Sequence, residues 1–283
     1  MFEFPCGLRV RAGDGGEDKK LKPFIKWAGG KRWLLDNASF ALPSFTGRYI
    51  EPFVGGGAVF FHIGPAASIL SDVNARLIAT YQAIRDEWQL VQRGLQDFQV
   101  RHSKDFYYAE RKREHDASHL RAAQFLYLNR TCFNGLYREN LRGEFNVPIG
   151  TKTQVILPED DFEGASRLLS AADLRVDDFE AVVAEARDGD LVFVDPPYTT
   201  AHNCNGFLKY NQTIFTWEDQ KRLKRAIGEA KARGARVVLT NADHESIHEL
   251  YEGLGTPQVV SRRSVISGSV SSRRVTTEAL FVF

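Results

Sequence analysis

Apolar residues in the first quarter of the chain follow a pattern of strand, turn, helix and strand. The run at 48–53 predicts a buried strand, the stretch 54–57 a tight glycine turn, and 58–63 the start of a helix. A second short strand is predicted at 67–70, and Asp72 follows at its end.

The rest of the chain repeats this alternation. An amphipathic pattern at helical spacing covers 77–98, and another helical stretch covers 217–233. The continuous apolar runs Leu191–Val194 and 236–240 are typical of strands buried on both faces of a parallel sheet. Strands that alternate with helices predict an α/β, doubly wound fold, which binds its ligands at the carboxyl ends of the strands.

The middle of the chain interrupts this alternation. Residues 75–158 have a mainly helical pattern in which aromatic side chains are interleaved with arginines: Tyr107, Tyr108, Phe125, Tyr127, Phe133 and Tyr137. We interpret 75–158 as a domain inserted into a ligand-binding domain made of 21–74 and 159–283. Residues 1–20 are rich in glycine and charge, and they predict a disordered leader.

Charge is segregated along the chain although the net charge is only +1. Six basic residues and no acidic ones lie in 19–32, and 101–142 carries nine basic against five acidic residues. Four arginines cluster near the C-terminus, whereas 155–195 has twelve acids and three bases. This asymmetry favours one surface that faces a polyanion, and ordinary solvated faces remain the alternative.

Cysteine and histidine usage indicates neither disulfides nor a metal site. Cys6, Cys132 and Cys204 are too far apart for a ligand pair and are odd in number. His115 and His119 stand four residues apart in a predicted helix, where a solvated face is the expected role. The apolar stretches are of strand length, so we expect a cytoplasmic protein that has no membrane span.

The glycine turn and Asp72 together predict a cofactor site. Glycines at 55–57 allow a ligand to approach the backbone closely, and an acid at the end of the next strand can accept hydrogen bonds from ribose hydroxyls. The pyrophosphate pattern G-x-G-x-x-G is absent from the sequence. A nucleoside cofactor without phosphates therefore fits better than NAD.

The four residues that follow the run Leu191–Val194 form the second candidate site: Asp195, Pro196, Pro197 and Tyr198. The prolines lack N–H groups, Asp195 is an acceptor, and Tyr198 offers a flat stacking face. Together they suit a planar molecule that bears an amine. A strand that simply ends in an Asp-Pro turn is the alternative.

A third candidate, 128–148, carries residues suited to reading DNA. Asn129, Asn134, Arg138 and Asn140 have base-edge geometry, Phe133 could wedge between bases, and Leu136 or Pro148 could contact a thymine methyl. A well-ordered loop with capping asparagines explains the composition equally well.

These motifs, in this order, resemble the Dam-type DNA adenine methyltransferases. The similarity covers 24–31, 51–57, 72–74, 129–148 and 195–198, and extends to the C-terminal arginines. It implies a Rossmann-like methyltransferase sheet that binds S-adenosylmethionine, formed by 21–74 and 159–283, with a mainly helical target-recognition domain at 75–158. It also implies double-stranded DNA as the substrate. It implies no obligate protein partner, and it is compatible with a cognate restriction endonuclease as a partner.

The resemblance assigns roles residue by residue. For the cofactor it implies Trp27, Lys31, Phe53, Gly55, Gly57, Asp72 and Asp195, and for catalysis Asp195, Pro196, Pro197 and Tyr198. For DNA it implies Lys26, Phe133, Asn134, Leu136, Arg138, Asn140 and Pro148, with Lys26 and Arg138 reading guanines. These positions agree with GATC-specific members. Some relatives carry Tyr at the position of Phe133. The phenylalanine keeps the stacking face and lacks the hydroxyl.

The implied reaction is base flipping followed by direct methyl transfer to the adenine amine. Tyr198 would stack on the base, while Asp195 and the carbonyl of Pro196 accept hydrogen bonds from its amine. The alternatives are transfer to the 4-amino group of cytosine, for which Ser in place of Asp195 would be expected, or to adenine in RNA. A DNA-binding module with an inactive site and a methyltransferase for small-molecule or protein amines also remain open.

Overall fold

The computed structural model describes residues 21–37, 40–135, 137–140, 143–201, 215–263 and 275–283. Within them, seven strands form one sheet in the order β3-β2-β1-β4-β5-β7-β6. The strands are β1 Tyr49–Glu51, β2 Ser68–Asp72, β3 Ala172–Val176, β4 Leu191–Val194, β5 Arg236–Ala242, β6 Gln258–Arg263 and β7 Val275–Val282. Strands β1 to β5 pair in parallel, and β7 is antiparallel to both β5 and β6. The predicted α/β fold is confirmed.

Helices connect the strands. They are α1 Arg32–Leu35, α2 Ala58–Ile63, α3 Ala75–Arg101, α4 Lys104–Glu110, α5 Ser118–Thr131, α6 Phe162–Leu169, α7 Phe179–Ala184, α8 Trp217–Ala232 and α9 Glu245–Tyr251. Among the described helices, none is both long and apolar enough to span a bilayer. The helix predicted to carry both His115 and His119 is wrong, because α5 begins only at Ser118 and His115 instead bonds Glu110.

Side chains alternate between the two faces of the sheet, and each face has its own apolar core. The first face packs against α2, α3 and α6 and includes Tyr49, Leu70, Phe193, Val238 and Leu280. The second face packs against α7, α8 and α9 and includes Ile50, Ile69, Val192, Val237 and Phe281. Burial on both faces explains why the central strands are continuous apolar runs.

The first face becomes polar at one edge of the sheet. Side chains two residues apart in a strand share a face. On the first face, the apolar residues of β1, β2, β4 and β5 are therefore each followed by a polar residue two positions later: Glu51, Asp72, Asp195 and Thr240. Strand β7 runs the opposite way, so its polar residue precedes Leu280: it is Glu278, which pairs with Ala242 at the end of β5. The chain passes from β1 through β2 to β3 and then returns to place β4 on the other side of β1. The polar edge, formed by the ends of these strands, therefore includes the point where the winding direction of the sheet changes.

Helix α3 joins the sheet to the helical middle of the chain. Its backbone departs from helical geometry at Glu87. Before this break Tyr81 packs on Phe24 and Phe61, and after it Phe98 packs on Tyr127 of α5. The first half of α3 therefore belongs to the layer that covers the sheet. An inserted domain at 75–158 stays a prediction.

Candidate active site

The glycine turn after β1 is bonded to the acid that ends β2. The N–H of Gly55 donates to Asp72 Oδ2 at 3.2 Å, and the N–H of Asn74 donates to Asp72 Oδ1 at 2.9 Å. Burial raises the pKa of Asp72, and these two backbone bonds oppose the rise. Gly55 has φ +46° and Gly57 has φ +63°, left-handed values that favour glycine. The turn and the acid therefore form a single unit.

Trp27 lies directly against this turn. A Cβ atom at Gly55 would stand 2.6 Å from Trp27 Cδ1, so only glycine leaves room for the indole. The other neighbours of the indole are Tyr137 and Phe125, whose ring centroids lie 5.4 and 6.2 Å away. Trp27 thus connects the glycine turn with the aromatic residues of the middle of the chain.

Phe53, also predicted at the cofactor site, lies just before the turn. Its ring stacks on Phe179 at 5.4 Å and meets the edge of Phe215 at 5.6 Å. The side chain is half-buried. Phe53 therefore presents part of an aromatic surface beside the glycine turn.

Asp195 accepts two short hydrogen bonds beyond the end of β4. Lys31 Nζ lies 2.7 Å from Asp195 Oδ1, and Thr240 Oγ1 donates to the same oxygen at 2.7 Å. The Lys31 side chain is 3% exposed, whereas Asp195 retains 18% exposure. Burial raises the pKa of Asp195, and the Lys31 ammonium and the Thr240 hydroxyl oppose that rise. The ammonium also donates to the carbonyl of Gly29 at 2.7 Å.

Tyr198 is held from two sides. Its hydroxyl donates to Glu278 Oε2 at 2.6 Å, and Lys31 Nζ lies 5.0 Å from the centroid of its ring. Burial, with the nearby carboxylates of Asp195 and Glu278, raises the pKa of Tyr198 well above its ordinary value, so the phenol keeps its proton. Lys31 Nζ is also 3.7 Å from Glu278 Oε2. Lys31, Asp195, Tyr198, Thr240 and Glu278 form what we term the Asp195 cluster.

The two prolines of the motif lead into a segment that is fastened to the second face. Pro196 is buried and Pro197 half-buried. Beyond them, Thr199 Oγ1 donates to the carbonyl of Phe215 at 2.7 Å, and Gln220 Nε2 donates to the carbonyl of Thr199 at 3.4 Å. Asn241 Nδ2 in turn donates to Gln220 Oε1 at 3.1 Å. Neutral amides thus fix the chain that carries Tyr198.

Glu51 is a deeply buried acid of this edge, with 3% exposure. Its Oε2 accepts a hydrogen bond from Tyr49 at 2.9 Å, and both side chains are in the interior. Burial raises the pKa of Glu51 well above its ordinary value, and the bond from Tyr49 only partly opposes this.

Five of the candidate DNA-reading residues lie on a hairpin that follows α5. They are Phe133, Asn134, Arg138, Asn140 and Pro148. Cross-strand bonds join Phe133 N–H to the carbonyl of Pro148 at 2.9 Å and Asn140 N–H to the carbonyl of Glu144 at 2.9 Å. Phe133 is 54% exposed, and Asn134, Arg138 and Pro148 are exposed too. Leu136 lies outside the described residues. The hairpin therefore presents an aromatic, an amide and a guanidinium to solvent.

Two hairpin asparagines have local structural partners. The Asn140 side chain accepts from Glu144 N–H at 3.0 Å and donates to Glu144 Oε2 at 2.8 Å, which closes the hairpin turn. Asn134 has φ +59°, and its carbonyl accepts from Lys26 Nζ at 2.5 Å. Lys26 therefore lies at the base of the hairpin beside Asn134. The DNA contacts of Asn134 and Asn140 stay predictions.

Asn129 was predicted as a base-edge reader, and this prediction is wrong. The side chain is fully buried. Its Oδ1 accepts from Lys26 N–H at 3.1 Å, and its Nδ2 donates to the carbonyl of Lys26 at 2.8 Å. Both polar ends of the amide are thus used inside the protein, so it cannot reach a base.

Sequence reasoning missed Thr240 and Glu278 as site residues. Thr240 ends an apolar run in β5, and Glu278 begins one in β7. The sequence signal for Glu278 was a single acid directly before three apolar residues, Ala279, Leu280 and Phe281. A carboxylate next to core positions usually has a buried partner.

Comparisons with known proteins show similarity to adenine-specific DNA methyltransferases. The family model of D12 class N6 adenine-specific DNA methyltransferases matches residues 27–265. A Type II methyltransferase of Lactococcus lactis subsp. cremoris is 35% identical over 263 residues, which are 90% of this chain and 92% of the relative. A DNA N-6-adenine-methyltransferase of Escherichia phage P1 is 39% identical over 271 residues, which are 91% of this chain and 36% of that longer protein. The DNA adenine methylase of Escherichia coli K12 is 33% identical over 261 residues, which are 91% of this chain and 94% of that protein.

Proposed function

Because the chain belongs to the D12 class of N6 adenine-specific DNA methyltransferases, we propose that it methylates an adenine flipped out of duplex DNA, within GATC, using S-adenosylmethionine. One observation carries the proposal. Asp195 and Tyr198 meet the Gly55 turn and Asp72 at a single edge of the sheet, where the winding direction changes. An amine acceptor, a stacking ring and a nucleoside site therefore lie side by side.

The residues at the turn fit a nucleoside cofactor. The Gly55 turn lies against the indole of Trp27, and its N–H donates to the carboxylate of Asp72. Trp27, Lys31, Phe53, Gly55, Gly57, Asp72 and Asp195 would hold S-adenosylmethionine, with Asp72 as the acceptor for ribose hydroxyls. When bound, the cofactor supplies an electrophilic methyl group.

The catalytic segment suits an adenine amine. Asp195 and the carbonyl of Pro196 accept hydrogen bonds from the amine and orient the nitrogen lone pair, while Pro197 fixes the backbone that leads to Tyr198. Tyr198 stacks on the base. The new N–C bond would form as the bond between the methyl group and the sulfonium sulfur breaks, which leaves a neutral thioether. The Asp195 carboxylate stabilises the positive charge that develops on the nitrogen, and the methylated amine then loses one proton to solvent. Flipping is required because the amine is inaccessible within the stacked duplex.

The hairpin supports duplex DNA as the substrate. Phe133 is an exposed wedge, and Arg138 and Lys26 are cations that can read guanine edges in the major groove. Arg138 is oriented by Asn146, whose Oδ1 accepts from its Nε at 3.0 Å. Asn134, Leu136, Asn140 and Pro148 complete the proposed DNA contacts. We assign target recognition to the insertion 75–158 and methyl transfer to 21–74 and 159–283.

The first test is product analysis. The purified chain is incubated with labelled S-adenosylmethionine and a plasmid, and the nucleosides are separated by mass spectrometry. We expect N6-methyladenine, together with resistance of the plasmid to endonucleases that cut unmethylated GATC. A matched plasmid with its GATC sites altered should remain unmodified. N4-methylcytosine as the product would contradict the proposal, and equal labelling of both plasmids would contradict GATC.

Asp195→Ala provides the catalytic control. We expect transfer to fall at least about 10²–10³-fold, since a group that stabilises developing charge contributes that much. DNA binding by the variant should persist, because the hairpin does not contact Asp195. Turnover within a few-fold of the wild-type rate would contradict the assigned role.

The DNA assignment is tested separately with Arg138→Ala. Loss of a bidentate guanine contact should weaken binding to a GATC duplex about 10-fold and relax discrimination at a single base pair. A uniform loss on all sequences would instead indicate a phosphate contact. Two relatives carry Type II methyltransferase names, which is compatible with a cognate restriction endonuclease that cuts the unmethylated site.

A further inference from the structure

Glu278 occupies an unusual place in β7. The next three residues of the strand, Ala279, Leu280 and Phe281, are buried apolar residues of the two cores. Glu278 is itself only 3% exposed and shares the first face with Leu280. A buried carboxylate is strongly disfavoured unless charged or hydrogen-bonding groups compensate it. Its partners therefore explain why an acid is present at this position.

Those partners are two residues of the Asp195 cluster. Tyr198 donates its phenol proton to Glu278 Oε2 at 2.6 Å, and Lys31 Nζ lies 3.7 Å from the same oxygen. The antiparallel direction of β7 is what brings Glu278 to this edge, opposite Ala242. Three separate parts of the chain, before β1, after β4 and in β7, thus meet at a single carboxylate.

The contact with Tyr198 restricts the ring. An aromatic side chain that stacks on a flat ligand has two rotatable bonds. A hydrogen bond at the far end of the ring fixes the first, and the preference of a phenol O–H for the plane of the ring restrains the second. A charged acceptor makes this bond short and strong. Lys31 adds a second restraint, because its ammonium faces the ring at 5.0 Å while it holds Asp195 at 2.7 Å.

We propose that Glu278 is a positioning residue for methyl transfer: its carboxylate holds the Tyr198 hydroxyl so that the ring is already oriented to stack on the target base. The role rests on the proposed function. Glu278 does not itself touch the base, and it acts through Tyr198. It is therefore expected to affect the transfer step rather than the binding of DNA.

A double-mutant cycle tests this role. Glu278→Leu keeps the volume and removes the acceptor, Tyr198→Phe keeps the ring and removes the donor, and the third variant carries both changes. Single-turnover transfer is measured at saturating cofactor on a GATC duplex, with the dissociation constant for DNA measured in parallel. We expect Glu278→Leu to lower the rate about tenfold in the wild-type background and at most about twofold in the Tyr198→Phe background. DNA affinity should stay within about twofold of wild type.

Matched variants separate positioning from general damage to the strand. Glu278→Gln retains an acceptor for the hydroxyl and should restore at least half of the wild-type rate. Thr277→Leu changes the exposed neighbouring residue on the same strand and should leave the rate unchanged. If Glu278→Leu does not fold, Glu278→Ala takes its place in the cycle: a tenfold loss that disappears in the Tyr198→Phe background supports the role, and an additive or absent loss overturns it.

The remaining outcomes are distinct. Additive effects in the cycle, with an active wild type, overturn the role of Glu278 and leave the proposed function intact. A loss confined to DNA affinity also overturns it. A wild-type chain that does not methylate adenine overturns the proposed function and, with it, this role.

Discussion

The two faces of the sheet end in different chemistry. At the polar edge the first face ends in ionisable groups: Glu51, Asp72, Asp195 and Glu278, with Lys31 among them. The second face ends in neutral hydrogen-bonding groups, namely Ser71 and Asn241, which bond the carbonyl of Pro52 and the amide of Gln220. Glu51, Glu278 and Lys31 are as buried as Ser71 and Asn241, whereas Asp72 and Asp195 are partly exposed, so exposure alone does not separate the two sets.

This difference separates the site from the structure that supports it. Neutral amides and hydroxyls satisfy one another at any pH and hold the segment that carries Tyr198. Buried charges are costly, depend on pH and need partners, so they are retained where a charge is used. We therefore assign the proposed chemistry to the first face and the support of its geometry to the second.

The largest expected effect comes from removing the cation of the Asp195 cluster. Lys31→Met removes the ammonium that lies 2.7 Å from Asp195 Oδ1 and 3.7 Å from Glu278 Oε2, and we expect the free energy of unfolding to fall by about 3–5 kcal/mol at neutral pH. Loss of the ammonium raises the pKa of Asp195 further, so the destabilisation should shrink as the pH falls and the carboxylates protonate. Denaturant unfolding over a pH series measures this.

The neighbouring Arg32→Met is the control for that experiment. Arg32 is exposed, and its replacement should change the free energy of unfolding by no more than about 0.5 kcal/mol. A similar loss in both variants, or a Lys31→Met loss independent of pH, would contradict the assignment of Lys31 to the Asp195 cluster.

A smaller effect is expected on the second face. Asn241→Ala removes the donor to Gln220 Oε1 at 3.1 Å, which retains a longer bond from Tyr251 at 3.3 Å, and it removes the acceptor of Ala242 N–H at 2.8 Å. The loss of both bonds should lower the free energy of unfolding by about 1–3 kcal/mol at every pH tested. Methyl transfer by the folded variant should stay within a few-fold of wild type. Asn241→Asp sharpens the comparison, since it introduces an ionisable group on this face and should make the loss grow with pH. Equal pH dependence in the two variants would contradict it.

The smallest effect concerns Glu51. Because burial raises its pKa, the folded chain holds this proton above pH 4.5 while the unfolded chain releases it. Wild-type stability should therefore fall relative to Glu51→Gln as the pH rises above 4.5, by at most about 1.4 kcal/mol per pH unit. Unfolding of both chains at several pH values measures the slope. Glu249→Gln, at an exposed position, should run parallel to wild type, and a flat Glu51 difference would refute the prediction.

The central part of the fold could be predicted from the sequence, because buried parallel strands are continuous apolar runs. The runs at β4 and β5 and the helix start at 58–63 agree with the structure within two residues. Strand β3 was not predicted. It lies at the edge of the sheet, where Asp173 and Arg175 point outward and interrupt the apolar pattern. Edge strands carry a weaker signal because only one face is buried.

The candidate site was predictable only where one segment carries several of its residues. Asp195 to Tyr198 is such a segment, and so is the glycine turn. Glu278 and Thr240 join the site through the antiparallel pairing of β7 with β5, a register that no local pattern specifies. The prediction for Asn129 was wrong for a related reason. Asn129 is close in sequence to the hairpin residues, but its side chain bonds the main chain of Lys26, which is 103 residues away.

The two hydrogen bonds between the Asn129 side chain and the main chain of Lys26 also connect two parts of the molecule. Lys26 and Trp27 are consecutive, and their side chains go to different places: Lys26 to the hairpin at Asn134, and Trp27 to the turn at Gly55. A single planar peptide unit, which resists twisting, separates the two. The carbonyl of this unit is the one that accepts from Asn129, so the contacts of the hairpin and of the glycine turn are joined through one held peptide group. Any coupling that this connection carries between a ligand at the hairpin and one at the glycine turn is reciprocal, so that each alters the affinity of the other by the same factor.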